Sequence, residues 1–143
     1  MGYTHYWRAE NVNNTKYQAA LTDIEKIVKE ASKTIPLARW DGKEGTSPLF
    51  NDGISFNGVE DNGCETFSIP KKSSELKGFD FCKTRNRPYD VVVTASLTRL
   101  AEVENIHVSS DGDEAEWEDG VTMASEILGR KLVNPVGNER TWR

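Results

Sequence analysis

The sequence predicts an α+β fold, in which a mixed, largely antiparallel sheet packs against two or three helices in the order β-α-β-β-β-α-β-α. Short segments rich in aromatic and β-branched residues are typical of strands, and longer segments with apolar residues every three or four positions are typical of helices. Strands and helices do not alternate regularly, and no internal repeat occurs. The 143 residues suffice for one domain. We place it at residues 1–129 and interpret residues 130–143 as an arm whose Trp142 docks on the body or on a neighbouring subunit.

The N-terminal part of the chain predicts a strand followed by a helix. Residues 2–10 alternate in the manner of a strand. One face carries Tyr3, His5 and Trp7, and the other carries Thr4, Tyr6 and Arg8. Asn13 or Asn14 provides the N-cap of a helix over residues 15–32. Its apolar stripe, at helical spacing, consists of Tyr17, Leu21, Ile24, Val28 and Ala31.

The middle of the chain predicts a β-hairpin and a third strand. A loop rich in Gly and Pro extends to Gly53. Residues 54–59 and 65–69 have strand character and are separated by a short turn, which indicates a hairpin. After Pro70 and a polar connection, residues 79–83 are expected to form a third strand beside this pair.

Two more helices follow in the C-terminal half. Pro88 suits the first position of a helix that extends to Val103, and its apolar residues cover most of its circumference, so we expect it to be buried. A short strand at residues 106–109 precedes a last helix that ends near Leu128. Its candidate N-caps are Ser110, Asp111 and Asp113, and Gly129 occupies the C′ position.

The composition excludes several classes of protein. A net charge of −5 and a pI of about 5.1 disfavour nonspecific nucleic-acid binding. The chain has no apolar segment of the length that a signal peptide or a membrane span requires, so we expect no membrane association. Cys64 and Cys82 are interpreted as free thiols. No nucleotide-loop, dinucleotide, serine-hydrolase or zinc-protease motif occurs, which favours a protein without a metal, a cofactor or enzymatic activity.

A cluster of cations before Pro88 is the main functional signal. Lys83, Thr84, Arg85 and Arg87 precede a predicted helix N-terminus, where backbone N–H groups and the helix dipole favour anions. The alternative is a solvated loop whose cations pair with surface acids. Asp90 either complements the helix dipole or pairs with Arg85 or Arg87.

The aromatic start of the chain is the second signal. Tyr and Trp beside Arg8 suit stacking on a base and hydrogen bonding to a ribose. The alternative is that Tyr3 and Trp7 fill the core. The candidate ligand-binding residues from both segments are Thr4, His5, Tyr6, Trp7, Arg8, Lys83, Thr84, Arg85, Arg87, Tyr89 and Asp90.

Several pieces of sequence together resemble a family of small phage and prophage proteins. They are MGYTHYW at the start, FNG and ETF in the hairpin region, FCKT…RPYD, and VSSDG…AEWEDG. The resemblance spans residues 1–128. It implies a phage origin and a location in the host cytoplasm, and it supplies no catalytic residues.

These observations predict a phage accessory protein that antagonises host defence. The leading hypothesis is non-catalytic sequestration of a phosphorylated, nucleotide-derived signalling molecule, in a homo-oligomer because pockets of small domains often form between subunits. The alternative is an inhibitor that binds a host or defence protein through its acidic surface. A third hypothesis is a small hydrolase or phosphodiesterase that uses His5 or Asp90.

Overall fold

A computed structural model describes residues 3–137 and confirms the predicted α+β class. The strands are β1 (Thr4–Ala9), β2 (Ile54–Phe56), β3 (Phe67–Ile69), β4 (Phe79–Lys83) and β5 (Ile106–Ser110). The helices are α1 (Asn14–Ala31), α2 (Asp90–Leu100) and α3 (Glu114–Leu128). None of the helices in residues 3–137 is both long enough and apolar enough to cross a membrane.

The main sheet is three-stranded, in the order β4-β1-β5, and both pairings are antiparallel. The expectation that β4 lies beside the hairpin is wrong, because β4 pairs with β1 in the register Tyr6↔Phe81. Strands β2 and β3 form a separate two-stranded sheet. The hairpin is held to β4 by a hydrogen bond from the Glu65 backbone N–H to the Lys83 carbonyl, at 3.0 Å.

The core lies between the inner face of the main sheet, the hairpin and the three helices. Trp7 of β1 is only 1% exposed, and its ring packs against Phe67 of the hairpin with centroids 5.5 Å apart. Helix α1 begins after Asn13, whose side chain accepts a hydrogen bond from the Lys16 N–H at 3.0 Å. Its predicted stripe is buried in the main core, where α1 packs against α2 and α3.

Helix α2 is buried on nearly all sides, as its sequence predicts, but it begins two residues later than expected. Arg85 and Asn86 both adopt left-handed backbone conformations, with φ of 53° and 56°. They form a tight turn closed by a hydrogen bond from the Arg87 N–H to the Thr84 carbonyl at 3.0 Å. Pro88 therefore belongs to the approach to α2, and Tyr89 is its N-cap.

Helix α3 has the ends that the sequence predicts. Of its three candidate caps, Asp113 is the N-cap, and its carboxylate accepts from the Glu116 N–H at 2.9 Å. The Glu116 carboxylate in turn accepts from the Asp113 N–H at 2.9 Å, which completes a capping box. Gly129 terminates α3 with φ of 73°, the left-handed conformation favoured at this position.

The described part of the predicted C-terminal arm, residues 130–137, packs against the body. Leu132 is 3% exposed and contacts residues of α1, α2 and α3, and Val136 is buried in the main core. Arg130 donates two hydrogen bonds, of 2.8 and 2.7 Å, to the Glu102 carboxylate. Trp142 lies outside the described residues, so its docking stays a prediction.

Candidate functional site

The structure separates the candidate ligand-binding residues into two groups. The alternation of β1 and the packing of α2 decide which side chains are enclosed. The buried group consists of Thr4, His5, Trp7, Thr84, Tyr89 and Asp90. The exposed or half-buried group consists of Tyr6, Arg8, Lys83, Arg85 and Arg87.

Two of the buried candidates are core residues, and this corrects their assignment to a ligand site. The Trp7 ring is enclosed by the core, so neither of its faces is open for a base. The Tyr89 ring is fully buried, and its hydroxyl donates to the Glu65 carbonyl at 2.5 Å. For Trp7, the alternative interpretation of a strand residue that fills the core is the one that the structure shows.

The outer face of the main sheet carries a group of open aromatic side chains. Tyr6, Arg8, Phe79 and Phe81, which we call the aromatic face, lie on adjacent strands because Tyr6 pairs with Phe81 and Arg8 pairs with Phe79. Phe79 is 48% exposed and Phe81 is 50% exposed. Extended apolar patches are typical of binding surfaces, so these rings are candidates for ligand contact.

The rings of the aromatic face are arranged for stacking. The Tyr6 and Phe79 rings are 6.0 Å apart at an interplanar angle of 25°, and the Phe79 and Phe81 rings are 6.2 Å apart at 35°. The Arg8 guanidinium carbon lies 5.8 Å from the centroid of the Phe79 ring. Together these groups present flat π surfaces with a cation at their edge.

Sequence reasoning did not select Phe79 and Phe81 as site residues. Their alternation with Asp80 predicts a strand with two aromatic residues on one face. Which face is covered depends on the partner of β4. The pairing with β1, instead of with the hairpin, leaves both rings open to solvent.

The cationic loop is built as a fixed turn beside the sheet. The backbone N–H groups of Thr84 and Arg85 both donate to the Tyr3 carbonyl, at 3.0 and 3.3 Å. Arg85 and Arg87 are exposed, and neither is within 4.0 Å of a carboxylate oxygen in residues 3–137. Pairing with surface acids, the alternative for this cluster, is therefore absent from the part of the chain that the structure describes.

The N-terminus of α2 does not offer the simple anion site that the sequence suggests. Asp90 is its first residue, so a carboxylate of the chain itself already occupies the first turn. A cavity of about 210 Å³ beside this turn is lined by Arg87, Asp90, Glu116 and Asp119 among others. Three carboxylates and one guanidinium in one cavity disfavour a phosphate there.

Asp90 belongs to a buried polar network with His5, Thr84 and Ser110. The His5 Nε2 atom lies 2.6 Å from Asp90 Oδ1, and the His5 Nδ1 atom lies 2.7 Å from Ser110 Oγ. The Thr84 hydroxyl donates to the same Asp90 oxygen at 2.5 Å. Asp90 thus holds neither Arg85 nor Arg87, the alternative drawn from the sequence, and binds a histidine instead.

The hydrogen bonds of this network define a consistent direction for its protons. The Gly112 N–H donates to Ser110 Oγ at 2.8 Å and leaves the Ser110 O–H free to donate to His5 Nδ1. The His5 Nε2–H then donates to Asp90 Oδ1. With Ser110 as the donor to Nδ1, the proton that the ring shares with Asp90 lies on Nε2, and this arrangement is assigned from the network.

Two aromatic rings enclose His5. The Tyr3 and Trp117 rings each make an edge-to-face contact with the imidazole, with centroids 5.1 Å away. The indole N–H of Trp117 is buried and has no hydrogen-bond partner within residues 3–137. Burial, followed by the nearby carboxylate of Asp90, raises the pKa of the Tyr3 hydroxyl, so this hydroxyl keeps its proton at neutral pH.

Asp111 connects the turn after β5 to β1 and to the aromatic face. Its carboxylate accepts from the Thr4 N–H at 3.1 Å and from the Tyr6 hydroxyl at 3.0 Å. The second hydrogen bond raises the pKa of the Tyr6 hydroxyl and holds its ring on the outer side of the sheet. The sequence marks Ser110 and Asp111 as candidate caps and places Asp111 where the end of a strand can reach a ligand, but it does not show their neighbours on β1.

No family model, curated protein or solved structure matches the chain. Within residues 3–137, no three His, Cys, Asp or Glu side chains are grouped so that they could hold a metal ion. Cys64 and Cys82 are both free thiols, as the sequence predicts.

Proposed function

We propose that the protein binds a nucleotide-derived small molecule without catalysis, and that the aromatic face is its binding surface. The observation that carries the proposal is the pair of half-exposed Phe rings, Phe79 and Phe81, on an open sheet beside Tyr6 and Arg8. Stacking of one base on one aromatic ring contributes about 1–3 kcal/mol, and it requires no reactive group.

Cations at both ends of the aromatic face support a ligand that carries phosphate. Residues 79, 81 and 83 alternate onto the same side of β4, which places Lys83 next to Phe81 and, in sequence, next to the turn that carries Arg85. Arg8 lies at the other end, against Phe79. A base stacked on the rings therefore has a cation within reach on either side for its phosphate.

The biological role that we propose is sequestration of an immune signal during phage infection, in the host cytoplasm. The resemblance of the chain to small phage and prophage proteins supports this role. A protein that only sequesters its ligand needs affinity and a sufficient intracellular concentration. Stacking on the open aromatic face is the proposed source of the affinity.

A thermal-shift panel with AMP, ADP-ribose and cyclic dinucleotides tests the proposal. A ligand present at 100 times its Kd should stabilise the wild-type protein by about 2.7 kcal/mol. We expect Phe79→Ala and Phe81→Ala each to weaken binding by about 5- to 100-fold. Trp40→Ala is the matched control, because Trp40 is a 55% exposed aromatic residue outside this face. A panel without any stabilisation of the wild type would contradict the proposal.

Binding of a basic host protein through α3 is the second candidate. The turn before α3 and its first two turns carry exposed acids that have no ion pair in residues 3–137. They are Asp111, Asp113, Glu114, Glu116, Glu118 and Asp119. We expect a pull-down from host lysate to lose its partner when Glu118 and Asp119 are changed to Lys, and to keep it with Phe79→Ala.

Native mass spectrometry of the same preparation measures the number of subunits and so tests the proposed homo-oligomer.

A further inference from the structure

We propose that Ser110 is a nucleophile activated by His5 and Asp90, and that this group transfers the acyl part of a small neutral or cationic ester to water. The proposal is independent of ligand binding on the aromatic face, because Ser110 and His5 lie on the opposite face of the sheet from Tyr6 and Phe81. It assigns a chemical role to the buried polar network.

The geometry of the network supplies the proton acceptor that an activated serine requires. The Ser110 hydroxyl is 2.7 Å from His5 Nδ1, which is within reach for proton transfer. The other ring nitrogen is fixed by Asp90 at 2.6 Å, so the imidazole presents one nitrogen to the nucleophile and the other to a carboxylate. A nucleophile, a base and an orienting acid recur on unrelated folds, and they are recognised by these roles.

The fold brings the three residues together from three elements. His5 lies on the central strand, and Ser110 is its cross-strand neighbour on β5. Asp90 is the first residue of α2, where the helix dipole stabilises its charge. Ser110 is the last residue of β5 and is half-buried, at the turn that leads into α3, so its hydroxyl is at the border of the core.

Tyr3 is placed to stabilise the oxyanion that forms during acyl transfer. Its hydroxyl lies directly against Gly112, two residues after Ser110, where an added Cβ would collide with it. It remains a protonated donor at neutral pH and has no hydrogen-bond partner in residues 3–137. Side-chain hydroxyls serve as oxyanion donors in other acyl-transfer sites.

The charges around the site select the class of substrate. Asp111, Asp113 and Glu116 are exposed at this end of the sheet, and all three raise the pKa of Tyr3 electrostatically. A phosphate ester would be repelled by these carboxylates. A neutral or cationic carboxylic ester is not repelled.

The reaction has two balanced steps. In the first, Ser110 Oγ bonds to the acyl carbon, its proton passes to His5 Nδ1, and the ester C–O bond breaks as that proton passes to the leaving alcohol. In the second, a water oxygen bonds to the acyl carbon and its proton passes to His5 Nδ1. The bond from the acyl carbon to Ser110 Oγ then breaks, Ser110 recovers the proton, and a carboxylic acid leaves.

A fluorophosphonate probe tests the nucleophile directly, since attack forms the Ser–P bond and releases fluoride. We expect one adduct on the intact folded protein, which peptide mapping assigns to Ser110. Ser110→Ala should abolish the adduct and the hydrolysis of p-nitrophenyl acetate. Ser109→Ala should retain both, because Ser109 is the adjacent residue on the opposite face of β5.

The rate of labelling in variants of Asp90 and Tyr3 tests the roles of these two residues. Asp90→Asn should slow labelling at least tenfold, and Tyr3→Phe should slow it about 100-fold with little change in melting temperature. Absence of an adduct on the folded wild-type protein, an adduct on another residue, or unchanged hydrolysis by Ser110→Ala would overturn the proposal. The peptide map of the wild type decides the matter even where a variant does not fold.

Discussion

At the scale of the residue, the hydrogen bond between His5 and Asp90 joins β1 to the first residue of α2. Neither side chain has access to enough solvent to replace the partner that it would lose. His5 is surrounded by the Tyr3 and Trp117 rings and by Ser110, while Asp90 satisfies two donors with one oxygen. Because both ring nitrogens of His5 have a partner, the network fixes the orientation of the imidazole ring.

We predict that Asp90→Ala destabilises the protein by about 2–4 kcal/mol, because it leaves the His5 N–H and the Thr84 hydroxyl buried without their acceptor. Urea denaturation measures the change in the free energy of unfolding. Asp119→Ala serves as the control, because Asp119 is an exposed acid that lines the same cavity beside α2 as Asp90. This substitution should change the free energy of unfolding by less than about 0.5 kcal/mol. Equal stabilities of the two variants would show that the hydrogen bonds of Asp90 contribute nothing to the free energy of unfolding.

At the scale of the element, the ends of α3 show which local signals are sufficient. Asp113 and Glu116 are spaced as a capping box, and Gly129 follows the last apolar residue of the helix. Both signals involve residues within one turn of each other, so the sequence contains all the information that is needed. The start of α2 is less visible, because it depends on the left-handed turn at Arg85 and Asn86, which non-glycine residues adopt infrequently.

We predict that Asp113→Ala costs about 1 kcal/mol, since the Glu116 N–H in the first turn of α3 loses its side-chain acceptor. Thermal unfolding, with the melting temperature as readout, measures the loss. Glu126→Ala removes an exposed acid from the same helix and should be nearly neutral. A cap variant as stable as this control would show that the capping box is not formed in solution.

At the scale of the whole molecule, the sequence predicts the inventory of elements but not their pairing. The hairpin, the three helices and the class of the fold follow from local periodicity. The pairing of β4 with β1 does not, because it joins residues more than 70 positions apart in the chain. The candidate ligand-binding residues separate into a buried and an exposed group for the same reason. The register of β1 decides that Trp7 faces the core and Tyr6 faces solvent.

The C-terminal segment gives a test of how far the domain extends. We predict that Leu132→Ala costs about 2–4 kcal/mol, because Leu132 is buried against α1, α2 and α3. Its neighbour Val133 is 48% exposed, and Val133→Ala should cost less than about 1 kcal/mol. Urea denaturation of the pair measures both, and equal losses would contradict the packing of residues 130–137 on the body.

In addition to Tyr3, three buried groups from different parts of the fold make the stability depend on pH in the alkaline range. Burial is the main cause that raises the pKa values of Tyr17, Cys82 and Tyr89 above their ordinary values of 10.0, 9.0 and 10.0. The unfolded chain therefore releases these protons first, and the folded state loses stability as the pH rises. We predict constant stability from these groups below pH 9 and a steep fall above pH 10, measured by urea titration. A flat profile to pH 11 would contradict their burial.

An NMR titration of the labelled protein with AMP and with ADP-ribose tests the central claim most directly, because it locates the ligand as well as detecting it. We predict that the largest shifts of backbone amides occur at Tyr6, Arg8, Phe79 and Phe81, and that Phe79→Ala raises the ligand concentration at half-maximal shift by about 5- to 100-fold. Shifts confined to the loop before α2, or no shifts at millimolar ligand, would contradict the assignment of the aromatic face as the binding surface.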